Sequence, residues 1–150
     1  MLLLLLSFLF AIGCCQINQF SIIVDNDTRA DLSQRTESIQ GASVVSNTCE
    51  GVLPQYGGCQ VVLRPDGSLQ NITYKATWIG LGQFGFYATL FPLGSTVELG
   101  LLGLPQPPGN GSACYSYEAP SAYAVAYVSF CQAPNPCSKN PLCGRSQSLA

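Results

Sequence analysis

The residues of this chain best suited to chemistry are its cysteines. Of eight, Cys14 and Cys15 lie in an apolar N-terminal segment, and the other six follow at Cys49, Cys59, Cys114, Cys131, Cys137 and Cys143. An even number of cysteines in an exported chain predicts a structural disulfide framework rather than a redox or metal site. The spacing favours a local bridge between Cys49 and Cys59 and another between Cys137 and Cys143. Cys114 is then left for Cys131, although other pairings stay open.

Catalytic chemistry has little support in the sequence. The chain contains no histidine, so the usual general base of serine and cysteine hydrolases and the commonest zinc ligand are both missing. The carboxylates that remain as candidates for acid and base catalysis are Glu50, Asp66, Glu98 and Glu118. Asp66 fits a turn and Glu98 a solvent-facing strand position, which leaves no acidic pair within a motif. We therefore predict a protein that is not an enzyme and needs no cofactor.

The N-terminal segment 1–15 indicates export. Its residues are almost all apolar, and the run is too short to span a bilayer, so it predicts a signal peptide that is removed from a secreted protein. A minor alternative is a bacterial lipoprotein, because Ala11-Ile12-Gly13-Cys14 is similar to the cleavage site at which Cys14 becomes lipid-anchored. The lack of Lys and Arg in the segment and the sequons described next favour secretion.

Three Asn-x-Ser/Thr sequons predict a glycoprotein. They begin at Asn26, Asn71 and Asn110. Asn110 lies in a stretch rich in proline and glycine, which is typical of an exposed loop. Asn71 lies on the solvent side of an alternating strand pattern, so it is also expected to be accessible.

Composition limits the classes of fold and partner. Only 9% of the residues are charged, well under the roughly 25% of an average soluble protein, and the net charge is −2. No three basic residues cluster in the sequence, so it predicts no basic patch that could bind nucleic acid. Its length predicts one β domain over residues 16–130, followed by an irregular Cys/Pro-rich tail over residues 131–150.

Short alternating runs predict an all-β fold. In residues 72–78, for example, Ile72, Tyr74, Ala76 and Trp78 share one face, as period-2 geometry requires. About seven or eight such strands, separated by turns, are typical of an antiparallel β-sandwich. Residues 25–40 are too polar for this pattern and predict a solvated loop, and residues 51–58 predict a turn between Cys49 and Cys59. Residues 59–78 predict a hairpin, with Gly67 at positive φ in its turn.

The aromatic residues carry the only hint of a binding site. Four tyrosines of neighbouring strands can lie on one face, namely Tyr115, Tyr117, Tyr123 and Tyr127, and they form either a binding face or a cap on the edge of an ordinary core. The favoured function is a non-catalytic extracellular recognition module that binds another protein. One alternative is a carrier of apolar ligands such as lipids, its cavity lined by Phe84, Phe86, Leu90, Val97, Leu99 and Leu101. The other is a carbohydrate-binding domain that stacks sugars on Trp78 or the tyrosines.

Overall fold

The computed structural model describes residues 18–67, 71–80, 83–91, 97–102, 111–118 and 123–132. These residues form ten β-strands and no helix. The strands are β1 (Gln19–Asp27), β2 (Leu32–Gln40), β3 (Ala42–Asn47), β4 (Val52–Leu53), β5 (Gly58–Pro65), β6 (Ile72–Ile79), β7 (Gln83–Leu90), β8 (Val97–Leu101), β9 (Gly111–Glu118) and β10 (Tyr123–Gln132). Within these ranges, no helix of the length and apolarity that a membrane crossing requires is found.

The strands form two five-stranded sheets that pack face to face. Sheet A has the order β3-β5-β1-β10-β9, and sheet B has the order β4-β2-β6-β7-β8. All pairs are antiparallel except β1 with β10, which run parallel at the centre of sheet A. The predicted all-β sandwich is therefore confirmed, with more strands than the expected seven or eight.

Aromatic rings fill the core between the sheets. Trp78 of β6 stacks on Phe86 of β7 at a centroid distance of 5.8 Å, and both contact Phe130 of β10 across the sandwich. The alternating residues of β6 that were predicted to share one face are buried, and alternating residues of β7 and β10 are buried as well. Apolar burial at about 25 cal/mol per Å² is the main force that holds the sheets together.

The prediction of a solvated loop over residues 25–40 is wrong. β1 continues to Asp27, and residues 32–40 form β2, which pairs with β6 along its length. Leu32 is buried and Ile39 packs against the core, while most other side chains of β2 are at least partly exposed. Hydrogen bonds to β6 hold this polar strand, so it needs few apolar side chains.

The predicted hairpin over residues 59–78 is also wrong. β5 pairs with β1 and β3 in sheet A, whereas β6 pairs with β2 and β7 in sheet B. The connection between them therefore crosses from one sheet to the other. Gly67 is not among the residues with positive φ, so the expected tight hairpin turn is not formed there. Both strands carry buried residues. Because β5 and β6 lie in opposite sheets, the apolar face of each strand is buried in the core between the sheets.

One predicted disulfide is present. Cys49 and Cys59 are bonded, with a Cα–Cα distance of 4.9 Å. Cys114 and Cys131 are each disulfide-bonded as well, and their mutual pairing stays a prediction. Cys131 and the following residue belong to β10, so the strand extends past the predicted domain boundary at residue 130. The expected signal peptide, Cys14, Cys137, Cys143 and the rest of the tail lie outside the described residues.

Candidate functional site

The exposed apolar surface of the described residues is concentrated in one segment. Four large apolar side chains are exposed, and all lie between residues 44 and 56: Val44 (49% exposed), Val45 (52%), Val52 (60%) and Tyr56 (59%). The two valines at 44 and 45 belong to the edge strand β3. Val52 and Tyr56 belong to residues 51–58, which we call the Tyr56 turn. The four residues are close in sequence, although Val44 and Val45 lie at an edge of sheet A and Val52 lies at an edge of sheet B.

The backbone of the Tyr56 turn is unusual at its tip. The amide of Gly57 donates a hydrogen bond to the carbonyl of Pro54 at 3.0 Å, which closes a β-turn with Tyr56 as its third residue. Tyr56 has a φ of 56°, and it is the non-glycine residue with positive φ in the described part of the chain. This conformation costs about 1–2 kcal/mol for a residue with a β-carbon, and turns that require it usually place glycine there. The fold therefore tolerates a strained tyrosine at an exposed position.

A buried amide holds the turn from below. Asn26 is completely buried, and its Nδ2 lies 2.9 Å from the carbonyl oxygen of Ala30, 3.1 Å from that of Leu53 and 2.9 Å from that of Pro54. We call this set of hydrogen bonds the Asn26 clamp. The backbone amide of Asn26 also donates to the carbonyl of Gly57 at 2.8 Å. One residue of β1 therefore binds both arms of the Tyr56 turn.

The other end of the Asn26 side chain is also fully used. Its Oδ1 accepts hydrogen bonds from the hydroxyl of Thr28 at 2.6 Å and from the amide of Thr28 at 3.1 Å. Thr28 is buried too, and its hydroxyl oxygen lies 3.0 Å from the carbonyl oxygen of Ala30, a second acceptor for the same proton. Buried polar groups must be paired, because an unpaired one costs about 1–3 kcal/mol. The clamp thus has every polar atom of Asn26 satisfied.

A disulfide and a buried leucine complete the support of the turn. The Cys49–Cys59 bridge closes the chain around the turn, and Thr48 pairs with Gln60 through a backbone bond of 2.9 Å. Leu53, between the two exposed side chains, is inserted into the core. The turn is consequently fixed by covalent, polar and apolar contacts, while Val52 and Tyr56 extend into solvent.

Close packing surrounds the base of the turn. A β-carbon on Gly58 would lie 2.8 Å from Oδ1 of Asp25, so a larger residue where the chain enters β5 would displace the Asp25 carboxyl group. Burial raises the pKa of Asp25 above its usual value, and the neighbouring charge of Asp27 adds to the rise. The base of the turn therefore contains a carboxyl whose charged form is disfavoured.

The four predicted tyrosines lie on or at the ends of the neighbouring strands β9 and β10. The register of these strands sets Tyr115 opposite Val128 and Tyr117 opposite Ala126, whereas Tyr127 is opposite Ser116. Tyr127 is half-buried, and the side chains of Tyr115, Tyr117 and Tyr123 lie outside the described residues. A shared binding face of the four tyrosines therefore stays a prediction.

The sequons differ in accessibility. Asn26, expected to carry a glycan, is buried within the clamp, so the fold has no room for a sugar on its Nδ2. Asn71 is exposed immediately before β6, as predicted. Asn110 lies outside the described residues. Glycosylation at Asn71 and Asn110 stays a prediction.

The interior gives no surface for sugar stacking. Trp78 is completely buried and contacts Phe86 and Phe130, so it cannot serve as an exposed platform for a carbohydrate ring, and that expectation is wrong. The side chains expected to line a ligand cavity belong to the packed core instead: Phe84, Phe86, Leu90, Val97 and Leu99. The side chain of Leu101 is outside the described residues.

Comparison with known proteins finds a likeness among solved structures but none among sequences. No family model and no curated protein matches the sequence. Among solved structures, the fold is similar to that of the lipid binding protein Nakanori, with a TM-score of 0.52 and 12% sequence identity. The match covers 86% of this chain and 76% of that one. At this identity the likeness supports the β-sandwich fold alone.

Sequence reasoning located the turn but did not identify it as a candidate site. The cysteines on either side and the glycines at 57 and 58 identified it. A tyrosine directly before two glycines, inside a disulfide loop, was the available signal of an exposed aromatic tip. The clamp had no such signal, because Asn26 was interpreted as a sequon and its surroundings as a loop.

Proposed function

We propose that this protein is a non-catalytic, extracellular lipid-binding module that contacts lipid at its surface through the Tyr56 turn. The observation that carries the proposal is the exposure of Val52 and Tyr56 on a turn that a disulfide and the Asn26 clamp hold rigid. A rigid site binds with less loss of conformational entropy than a mobile one. Keeping a bulky residue at positive φ also requires support that an ordinary connecting turn does not need.

The chemistry of the two exposed side chains suits a lipid surface. Tyrosine has an apolar ring and a polar hydroxyl, and such side chains are enriched at membrane–water interfaces. Val52 would add a purely apolar contact beside it. That Nakanori, whose fold is similar, is a lipid binding protein supports the choice of lipid over other ligands. The packed aromatic core favours contact at the surface over enclosure of lipid between the sheets.

Export is part of the proposal. The Cys49–Cys59 disulfide supports it, because structural disulfides form in oxidising compartments. The predicted signal peptide at residues 1–15 would direct the chain there. On this account the turn meets the outer leaflet of a membrane or a lipid particle outside the cell.

Vesicle flotation would test the proposal with matched variants. The unmodified protein is expected to float with phosphatidylcholine vesicles, with or without phosphatidylserine. Tyr56→Asn combined with Val52→Thr removes the apolar tips, and Asn tolerates positive φ. This variant should bind at least about tenfold more weakly, since losing one well-buried side chain costs about 1.5–3 kcal/mol.

The control is Val44→Thr combined with Val45→Thr, which makes the Val→Thr change at the two exposed valines outside the turn. This variant should keep the affinity of the unmodified protein. Equal affinity of all three proteins, or loss of binding in the control alone, would show that the turn is not the lipid contact.

A second candidate function, recognition of an extracellular protein, is favoured by the edge strand β3. Residues 43–46 are all exposed, and β3 lies at the end of sheet A. An extended peptide could pair with that edge by strand addition. A one-residue bulge at Val45 interrupts the register with β5, and such bulges commonly protect edges from pairing. The lipid-binding proposal therefore comes first.

A further inference from the structure

The Asn26 clamp occupies the one nitrogen that N-glycosylation would use. The sequon Asn26-Asp27-Thr28 is intact, yet Asn26 and Thr28 are both buried and hydrogen-bonded to each other. Nδ2 carries two hydrogens and faces three carbonyl oxygens within 3.1 Å. The nitrogen that would receive a glycan is therefore the donor that holds the Tyr56 turn.

Glycan transfer would remove part of this donor. The amide nitrogen bonds to C1 of the first sugar of an oligosaccharide carried on a lipid pyrophosphate. The bond between C1 and the pyrophosphate oxygen breaks, the pyrophosphate carrier leaves, and the nitrogen loses one proton. One N–H then remains for carbonyls on two different segments, and the sugar must occupy space that Leu53 and Pro54 now fill. The folded clamp and the glycan cannot both exist.

Asn71 has the opposite environment. It is exposed at the start of β6, and no side chain in the described part of the chain is hydrogen-bonded to it. The threonine of its sequon, Thr73, is half-buried, and its hydroxyl lies 3.2 Å from that of Thr89. The amide of Asn71 is thus open to solvent when the protein is folded.

We infer that glycosylation of Asn26 and closure of the Asn26 clamp exclude each other, and that Asn71 is the acceptor that stays available in the folded protein. Asn26 accepts a glycan only before the clamp closes, and a chain modified there does not form the Tyr56 turn. The modification would act as a block on folding rather than as surface decoration. This inference is independent of lipid binding.

The test offers the protein in two states to a purified single-subunit oligosaccharyltransferase with its lipid-linked oligosaccharide. One state is the folded full chain, with the Cys49–Cys59 bond verified by non-reducing peptide mapping. The other is a tryptic digest of the same chain, in which both sequons lie in unstructured peptides. Mass spectrometry after enzymatic release of the glycan in ¹⁸O water gives the occupancy of each asparagine.

Both asparagines should be modified in the digest. In the folded chain, occupancy at Asn26 should be at least about tenfold below that at Asn71, because the buried hydrogen bonds must first open. Thr28→Ser keeps both the sequon and the hydroxyl and should behave in the same way. Asn71→Gln should abolish modification at that position alone. Modification of Asn26 in the folded chain as fast as in the digest, or of Asn71 only in the digest, would overturn the inference.

Discussion

The phenol of Tyr74 donates a hydrogen bond of 2.9 Å to Oε1 of Glu37, and this bond links two neighbouring strands of sheet B. Tyr74 is buried on β6, and Glu37 is half-buried on β2 of the same sheet. The carboxylate also accepts bonds of 3.0 and 3.1 Å from the amide of Asn47, on β3 of the other sheet. Glu37 is therefore the bridge between a core phenol and the edge of sheet A.

Removing the phenol hydroxyl should destabilise the protein. Tyr74→Phe keeps the buried ring but deletes a hydrogen bond to a charged acceptor, which contributes about 1.5–3 kcal/mol. Urea unfolding followed by circular dichroism should show a lower midpoint with an unchanged slope. Tyr87→Phe is the matched control, because its exposed hydrogen bond to Glu98 should contribute much less. Equal losses in the two variants would contradict the bridging role of Glu37.

Neutralising Asp25 should stabilise the protein at neutral pH. Burial and the charge of Asp27 raise the pKa of Asp25, so the folded protein keeps this proton at a pH where the unfolded chain has lost it. The residue therefore lowers stability as the pH rises above about 4, the usual pKa of an aspartic acid. Asp25→Asn should raise the melting temperature at pH 7, and the gain should vanish below pH of about 4. A melting temperature of Asp25→Asn equal to that of the unmodified protein at pH 7 would contradict this prediction.

Removing the Cys49–Cys59 disulfide should destabilise the protein and the Tyr56 turn. Cys49→Ala with Cys59→Ala opens a loop of about ten residues, and the loop-entropy model gives about 2–3 kcal/mol for such a bridge. Thermal unfolding should show this loss of stability. Relative to the unmodified protein, amide hydrogen exchange should increase most in residues 51–58. Unchanged protection of these amides would mean that the Asn26 clamp alone is sufficient.

Stability and binding should separate at Tyr56. Asn relieves the strain of positive φ, so Tyr56→Asn should be at least as stable as the unmodified protein, by up to about 1 kcal/mol. The same change should weaken vesicle binding. A variant that both unfolds more easily and loses binding would point to a structural role for the ring instead.

The single tryptophan reports where lipid binds. Trp78 is buried among aromatic rings, so vesicles of brominated phosphatidylcholine should leave its fluorescence unquenched if contact is made at the Tyr56 turn. Flotation of the same samples confirms that binding has occurred. Strong quenching in bound protein would instead favour lipid enclosed between the sheets.

Sequence patterns predicted which face of a strand is buried better than they predicted which strands pair. Ile72, Tyr74, Ala76 and Trp78 point into the core as the alternation required, because successive residues of a strand point to opposite faces. The same reasoning failed for β5 and β6, which a turn motif predicted to pair. A turn shows that the chain reverses, but it does not decide whether the next strand joins the same sheet or the opposite one.

By itself, the sequence determined the class of fold, the inward residues of its most apolar strands and the local Cys49–Cys59 bridge, since these depend on composition and short-range periodicity. Only the tertiary structure decided the parallel pairing of β1 with β10, the existence of β2 and the burial of Asn26. These features arise from hydrogen bonds between segments far apart in the chain. Such bonds leave no local pattern in the sequence. The sequence therefore indicated only a sequon at Asn26 and a connecting turn at residues 51–58, whereas the structure shows the Asn26 clamp and the exposed side chains of the Tyr56 turn.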